Sequence, residues 1–157
     1  MKIKIFEIND LEQLVPAFDS YRQRYKQPSE PQKIEQFLRL MLEQQTSTMF
    51  LSYEGDELTG FIQLYPSYSS IGLAPIWTLN DFYVFGGTGR KQTAEALLNA
   101  AKDLCKETDA IRIEVTTRKE NHRLHKIYRD YGFEKDYKYD YYFLRVNEQD
   151  IASKMLK

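Results

Sequence analysis

A chain of 157 residues, 42% of them apolar, holds enough material for one packed core and too little for two. Its 22 Lys and Arg against 23 Asp and Glu leave a formal charge of −1, which argues against binders that rely on a basic field, of nucleic acid or of anionic membranes. No N-terminal apolar stretch reads as a leader and no apolar run approaches the length of a bilayer span, so the expected compartment is the cytoplasm.

Lys2–Ile8 alternates polar and apolar residues and reads as a strand. Asn9-Asp10 can cap a helix running to about Tyr25, with Leu11, Leu14, Val15 and Phe18 on its inner face. Pro16 conflicts with that helix and predicts a kink or a later start. After a loop bracketed by Pro28 and Pro31, Ile34, Phe37, Leu38, Met41 and Leu42 mark a second amphipathic helix. Thr48–Tyr53 and Leu58–Tyr65 predict strands joined at Glu54-Gly55-Asp56, and a polar loop, Pro66–Pro75, leads to a longer strand, Ile76–Val84. A glycine-rich turn precedes a helix from about Lys91 to Lys106, with Leu97, Leu98, Ala101, Leu104 and Cys105 facing inward. Cys105, the single cysteine, cannot form an internal disulfide and falls on this apolar side, away in sequence from His122 and His125, so it reads as a core residue. Ile111, Ile113 and Val115 alternate with Arg112 and Glu114 as a strand. A short helix follows, then two closing strands at Phe133–Tyr137 and Tyr141–Val146.

That short helix is the most informative segment. Leu124, Ile127, Tyr128 and Tyr131 share one face of a 3.6-residue period, Asn121 stands at the N-cap, and Gly132 is a helix-ending residue before Phe133. Asn121, Tyr128 and the closing Gly132-Phe133 resemble the second signature of the GNAT superfamily of acyl-CoA N-acyltransferases. Leu79–Val84, followed by Gly89-Arg90-Lys91-Gln92-Thr93-Ala94, resembles its first signature. The resemblance is carried by Leu79 to Phe133, about a third of the chain. It implies an α/β (mixed α+β) fold, a mixed sheet splayed between its fourth and fifth strands and flanked by about four helices. Residues 1–157 are then expected to form one such acyltransferase domain.

The resemblance also implies acetyl-CoA (coenzyme A) as cofactor, with no metal. Phe82, Tyr83 and Val84 would hold the pantetheine arm. Gly89, Arg90, Lys91, Gln92, Thr93 and Ala94 would hold the pyrophosphate through free N–H groups, a helix dipole and two cations. Asn121 would fix the cofactor arm, besides any role as a cap. The family pattern has Arg or Gln where this chain has Gly89, and Gly where it has Gln92; only Ala94 matches. No Gly-Lys-Ser/Thr ends a P-loop, and Gly87-Thr88-Gly89 lacks a third glycine for a dinucleotide fingerprint. By itself, Gly86–Gly89 also reads as a plain strand-to-helix turn.

The implied reaction is acetyl transfer to an amine, with Tyr128 the proton donor to the departing thiolate, although the same tyrosine suits a helix core. Many relatives carry Glu where this chain has Asn80, which cannot act as a base. Asp81 is the candidate base, beside deprotonation through water and a plain structural role for this carboxylate, but in a regular strand it faces the other way unless a bulge intervenes. The acidic, tyrosine-rich segment Glu134–Tyr142 loosely resembles that of polyamine and small-amine acetyltransferases and could line an acceptor pocket, or else be an exposed strand. A module with this fold that binds cofactor without turnover is the alternative raised by Gln92 and Asn80. The run Tyr21–Lys26 could instead stack on single-stranded RNA, against which the near-neutral charge argues. Expected partners are therefore acetyl-CoA and an amine, not nucleic acid or membrane, with a homodimer suggested by exposed edge strands near the C-terminal end.

Overall fold

The computed structural model describes residues 1–148. The sheet has five strands in chain order: β1 (Lys2–Ile5), β2 (Thr48–Glu54), β3 (Glu57–Ser69), β4 (Ala74–Val84) and β5 (Ile113–Val115). β1 to β4 pair antiparallel and β5 lies parallel to β4. The helices are α1 (Leu11–Arg24), α2 (Pro31–Gln44), α3 (Arg90–Glu107) and α4 (His122–Tyr131), with a 3-10 turn at Ile8–Asp10 leading into α1. The expected mixed α/β architecture is present, with helices on both faces.

Alternation along the strands sorts the core into two layers. Phe61 and Tyr83 join Leu14, Phe18 and Leu38 of α1 and α2 on one face. Ile62, Leu79 and Phe82 join Leu97, Leu98 and Tyr128 of α3 and α4 on the other. Pro16 neither interrupts nor delays α1. It sits on the exposed side of the helix, and the carbonyl that its missing N–H leaves free is that of Glu12, also exposed.

Two expectations fail here. Pro66–Pro75 is not a polar loop: β3 and β4 extend as a hairpin from Tyr65↔Thr78 to Ser69↔Ala74. Pro66 is tolerated because β2 ends its pairing at Leu64, so this stretch of β3 has one free edge. The closing strands at Phe133–Tyr137 and Tyr141–Val146 are not formed; among the described residues no strand follows α4. Phe133 packs back on Tyr128 and Tyr131. Beyond it the chain finds no ladder partner, and Tyr142 and Leu144 are 87% and 88% exposed. The Tyr141 and Phe143 rings, two residues apart, lie 6.1 Å from each other on one side of this unpaired tail.

Candidate active site

The site begins where β4 and β5 part. Their pairing runs only from Trp77↔Ile113 to Leu79↔Val115, after which β4 continues for five residues without a neighbour on that side. A bulge marks the same point. On β3, Gln63 and Leu64 are consecutive, yet they oppose Asp81 and Leu79, so Asn80 is the extra residue. The insertion reverses the facing of everything that follows. Trp77 and Leu79 face α3 and α4 before it, and Phe82 does so after it. Asp81 and Tyr83 are thereby turned to the α1 side, while Asn80 is exposed.

The gap is a cleft of about 270 Å³ between Phe82–Val84 of β4, Arg90 and Ala94 of α3, Asn121 to Ile127 at the start of α4, and Tyr21 to Tyr25 at the end of α1. Among the described residues, four arginines, Arg24, Arg90, Arg118 and Arg123, line it and no acid does. The Arg24 guanidinium lies 4.8 Å over the Tyr83 ring, and that of Arg118 lies 5.1 Å over Tyr25. Such stacking holds a guanidinium in place without neutralising it. The wall of the cleft therefore favours an anionic ligand.

The α3 N-terminus supplies the next part. Gly89 is its N-cap, with no side-chain cap and no acid in the first turn, and Arg90 and Lys91 follow. The backbone N–H groups of that turn lack a capping side chain, as an anion site requires. The preceding loop is held by Glu54, which accepts from the Thr88 backbone N–H and hydroxyl, both at 3.1 Å. A Cβ on Gly87, at φ +78°, would meet a Glu54 oxygen at 2.6 Å, so glycine is required there. The Gln92 side chain folds back toward Gly89, its Oε1 only 3.1 Å from where a Cβ would be. It thus sits against the N-cap residue of the helix end that a phosphate would approach. The residues fit a diphosphate in charge and in uncapped N–H groups, with Gln92 intruding. Thr93 is buried, and its N–H donates to the Gly89 carbonyl at 2.8 Å.

On α4, the Asn121 Oδ1 accepts from the Leu124 N–H at 3.2 Å, and Gly132 ends the helix at φ +114°. Asn121 is thus a cap and a cleft-lining residue at once. The Tyr131 hydroxyl donates to Asn99 at 2.7 Å and docks α4 on α3. His125 reaches the Arg118 carbonyl at 2.9 Å, which fixes the loop bearing that arginine. Tyr128 is 6% exposed, its ring packed between Phe82 and Phe133. Burial pushes its phenol well above the ordinary value, with Tyr25 adding to the effect, so it stays protonated across the neutral range.

Asp81 lies on the opposite face of β4 and does not meet Tyr128 directly. It is buried, and its Oδ2 accepts from Gln63 Nε2 at 2.8 Å and Asn80 Nδ2 at 3.2 Å. Burial dominates and raises its pKa above the usual carboxylate range, against the pull of these two amides. Cys105 is removed from this chemistry: burial raises its thiol pKa and its Sγ donates to the Ala110 carbonyl.

Of the expected cofactor residues, the cleft brings together Phe82, Tyr83, Val84, Arg90, Ala94 and Asn121. Lys91 and Gln92 lie exposed at its α3 end beside Gly89. The tail acids Glu134, Asp136 and Asp140 are exposed and do not line the cleft. Motif matching missed Tyr21, Arg24, Tyr25 and Arg118, which no GNAT signature covers. For Tyr21, Arg24 and Tyr25 the sequence signal was the aromatic-basic run Tyr21–Lys26, whose stacking capacity is turned inward on Tyr83 and the cleft.

Comparison with known proteins agrees with this geometry. Residues 11–133 match the family model described as the acetyltransferase (GNAT) family. The chain is 34% identical over 146 residues to YhfO of Bacillus subtilis (strain 168), named an uncharacterized N-acetyltransferase, covering 93% of this chain and 98% of that one. A Haemophilus influenzae protein named a probable acetyltransferase is 32% identical over 114 residues, 72% of this chain and 78% of its own. A crystal structure of a probable acetyltransferase superposes with a TM-score of 0.88 at 36% identity, over 94% of this chain and 99% of the other. The parted strands, the uncapped α3 and the Asn121–Gly132 helix are thus the features of an acetyltransferase, and the chain belongs to the GNAT family.

Proposed function

We propose that this protein transfers an acetyl group from acetyl-CoA to a primary amine, either a small amine or polyamine or an amine on a protein, and acts in the cytoplasm as one domain over residues 1–157. The observation that carries the reading is the gap beyond Leu79↔Val115, with an uncapped, cationic helix end at one side and a buried, protonated phenol at the other. Acetyl-CoA supplies an activated acyl thioester. Phe82 to Val84 hold its pantetheine arm, Asn121 fixes that arm, and Gly89 to Gln92 with Ala94 receive the diphosphate. The arginines of the cleft wall offset its negative charge.

An alkylamine with pKa ~10.4 is neutral in roughly one part in a few thousand near pH 7, so the acceptor must lose a proton before attack. Asp81 serves as the base, since burial raises its pKa and makes it readier to take a proton than an ordinary carboxylate. Tyr128 protonates the departing thiolate. A second reading, a binding module with little turnover, is favoured by one observation, the Gln92 side chain lying against Gly89 at the α3 N-terminus. Titration calorimetry with acetyl-CoA, followed by thiol release against a panel of amines, separates the two. Micromolar binding with turnover supports the enzyme, and binding without turnover of any panel amine supports the module. The tail and the outer edge of β5, both unpaired among the described residues, further support a homodimer.

A further inference from the structure

The arginines of the cleft divide by the face of the sheet on which they stand. Arg90 and Arg123 belong to α3 and α4, and Arg90 opens the helix whose uncapped end is suited to the diphosphate. Arg24 and Arg118 stand on the other side. Arg24 lies over Tyr83, whose ring packs in the α1 layer, and Arg118 lies over Tyr25, the C-cap of α1. The strand segment assigned to the pantetheine arm, Phe82 to Val84, separates the two pairs. Among the described residues neither Arg24 nor Arg118 makes an ion pair. An aromatic ring offers a guanidinium a face but no anion, so each keeps its full charge and an N–H fork matched to an oxyanion.

We propose that Arg24 and Arg118 bind an oxyanion carried by the acceptor, so that the substrate is an amine with its own carboxylate or phosphate and not a polyamine; the proposal rests on the acetyl-transfer reading above. A polycation finds nothing to hold it here. No acid lines the cleft among the described residues, and the acids of the tail lie exposed outside it. Ring faces that could hold an ammonium are already taken. Tyr83 has Phe85 stacked at 5.0 Å besides Arg24 at 4.8 Å, and Tyr25 has the Tyr21 ring edge-on at 5.1 Å besides Arg118. An amine without an anionic group brings only a like charge to this wall, whereas one with a carboxylate or phosphate is drawn to it by that end.

Both arginines are held where they stand. The Arg118 carbonyl is bonded by the Asn121 N–H at 3.0 Å and by the His125 ring at 2.9 Å, which ties its loop to the start of α4. Arg24 occupies the last turn of α1, where the helix dipole favours a cation even with no acid beside it. Tyr83, on which Arg24 rests, is buried among Phe61, Tyr21 and Phe85. The platforms are therefore fixed by packing, and the guanidinium groups on them are open to solvent and to a ligand entering the cleft. That exposure also means that salt screens them.

The test is thiol release by the wild type, Arg24→Gln, Arg118→Gln and Arg90→Gln with matched acceptors, and calorimetry of acetyl-CoA binding on each protein. The acceptors are the common α-amino acids against their carboxamides, aminoethyl phosphate against ethylamine, and spermidine, with rates referred to the neutral amine of each. The anionic member of at least one pair should exceed its partner in kcat/KM by roughly tenfold or more, and spermidine should be poorer still. Arg24→Gln and Arg118→Gln should each erase most of that preference, raising KM for the anionic acceptor more than they lower kcat, while acetyl-CoA still binds. Arg90→Gln should instead weaken acetyl-CoA. The wild-type preference should shrink at high salt. Turnover in which the uncharged partners or spermidine are the better acceptors overturns this proposal alone, and the wild type decides that whether or not a variant folds. So does loss of acetyl-CoA affinity in Arg24→Gln and Arg118→Gln with the preference intact, which would assign both arginines to the cofactor's phosphates. A wild type that binds acetyl-CoA and acetylates no member of the panel overturns the acetyl-transfer reading, and this proposal with it.

Discussion

At Tyr128 and Asp81 the same force, removal from water, has opposite uses. Burial favours the neutral form of each, which keeps a proton on the phenol and makes the carboxylate more willing to take one. Tyr128→Phe keeps the ring between Phe82 and Phe133 and removes only the hydroxyl. Turnover should fall roughly tenfold or more with acetyl-CoA affinity unchanged, read by thiol release and calorimetry. For Asp81 the linkage has a definite sign. Its folded pKa is above the unfolded value, so the folded protein holds the proton more tightly, and stability falls as pH rises from the unfolded pKa through the folded one. Asp81→Asn removes that penalty and retains an oxygen for Gln63. The variant should melt higher than wild type at neutral pH, with the advantage gone below the usual carboxylate range. Melting curves at the two pH extremes check this, and an equal offset at both would exclude the charge as its cause.

Two elements, β4 and α3, position the chemistry, and each carries one residue that breaks its local rule. In β4 it is Asn80, the bulge that turns Asp81 toward α1. Deleting Asn80 would restore an unbroken two-residue period and carry Asp81–Val84 to the opposite faces, burying a carboxylate among Leu97, Leu98 and Tyr128. The deletion should lower the melting temperature sharply and abolish acetyl-CoA binding; binding at wild-type affinity would mean the bulge is dispensable. In α3 it is Gln92, whose side chain lies against the N-cap of the uncapped helix end. Gln92→Ala clears that approach without the helix cost of glycine, and coenzyme A should bind more tightly by calorimetry. Weaker binding would show that the amide itself holds the phosphate. These two positions also mark where sequence reading succeeds and stops. Leu124, Ile127, Tyr128 and Tyr131 declare their helix because a buried face must recur every 3.6 residues, and Ile113 and Val115 declare their strand by alternation. A bulge leaves no such period, since one inserted residue changes facing without changing composition. Tyr21 and Tyr25 escaped for a related reason: they reach the site from α1, some sixty residues from the motifs, and only tertiary packing brings them there.

For the molecule as a whole, the segment after α4 stands apart from the sheet and its helices. Its aromatic alternation predicted two strands, and the chain there is strand-like in composition but unpaired. Tyr137, Tyr139, Tyr141, Tyr142 and Leu144 are each at least 75% exposed, and the outer edge of β5 has no neighbour among the described residues. A row of large apolar side chains beside an open sheet edge is a combination that soluble proteins cover, because both the apolar surface and the free backbone groups gain by pairing. A second copy can satisfy both at once, its tail supplying the ladder that β5 lacks. The balanced charge of residues 133–146, Glu134, Asp136 and Asp140 against Lys135, Lys138 and Arg145, puts no repulsion in the way. Sedimentation of the full chain should therefore report a dimer. Replacing Tyr141 and Phe143, whose rings share one side of the tail, with Ser should shift it to monomer. Acetyl-CoA binding should survive the change, since neither residue lines the cleft. A wild type that sediments as a monomer would mean that the tail folds onto its own β5, and a monomer that loses cofactor affinity on substitution would tie the tail to the site instead.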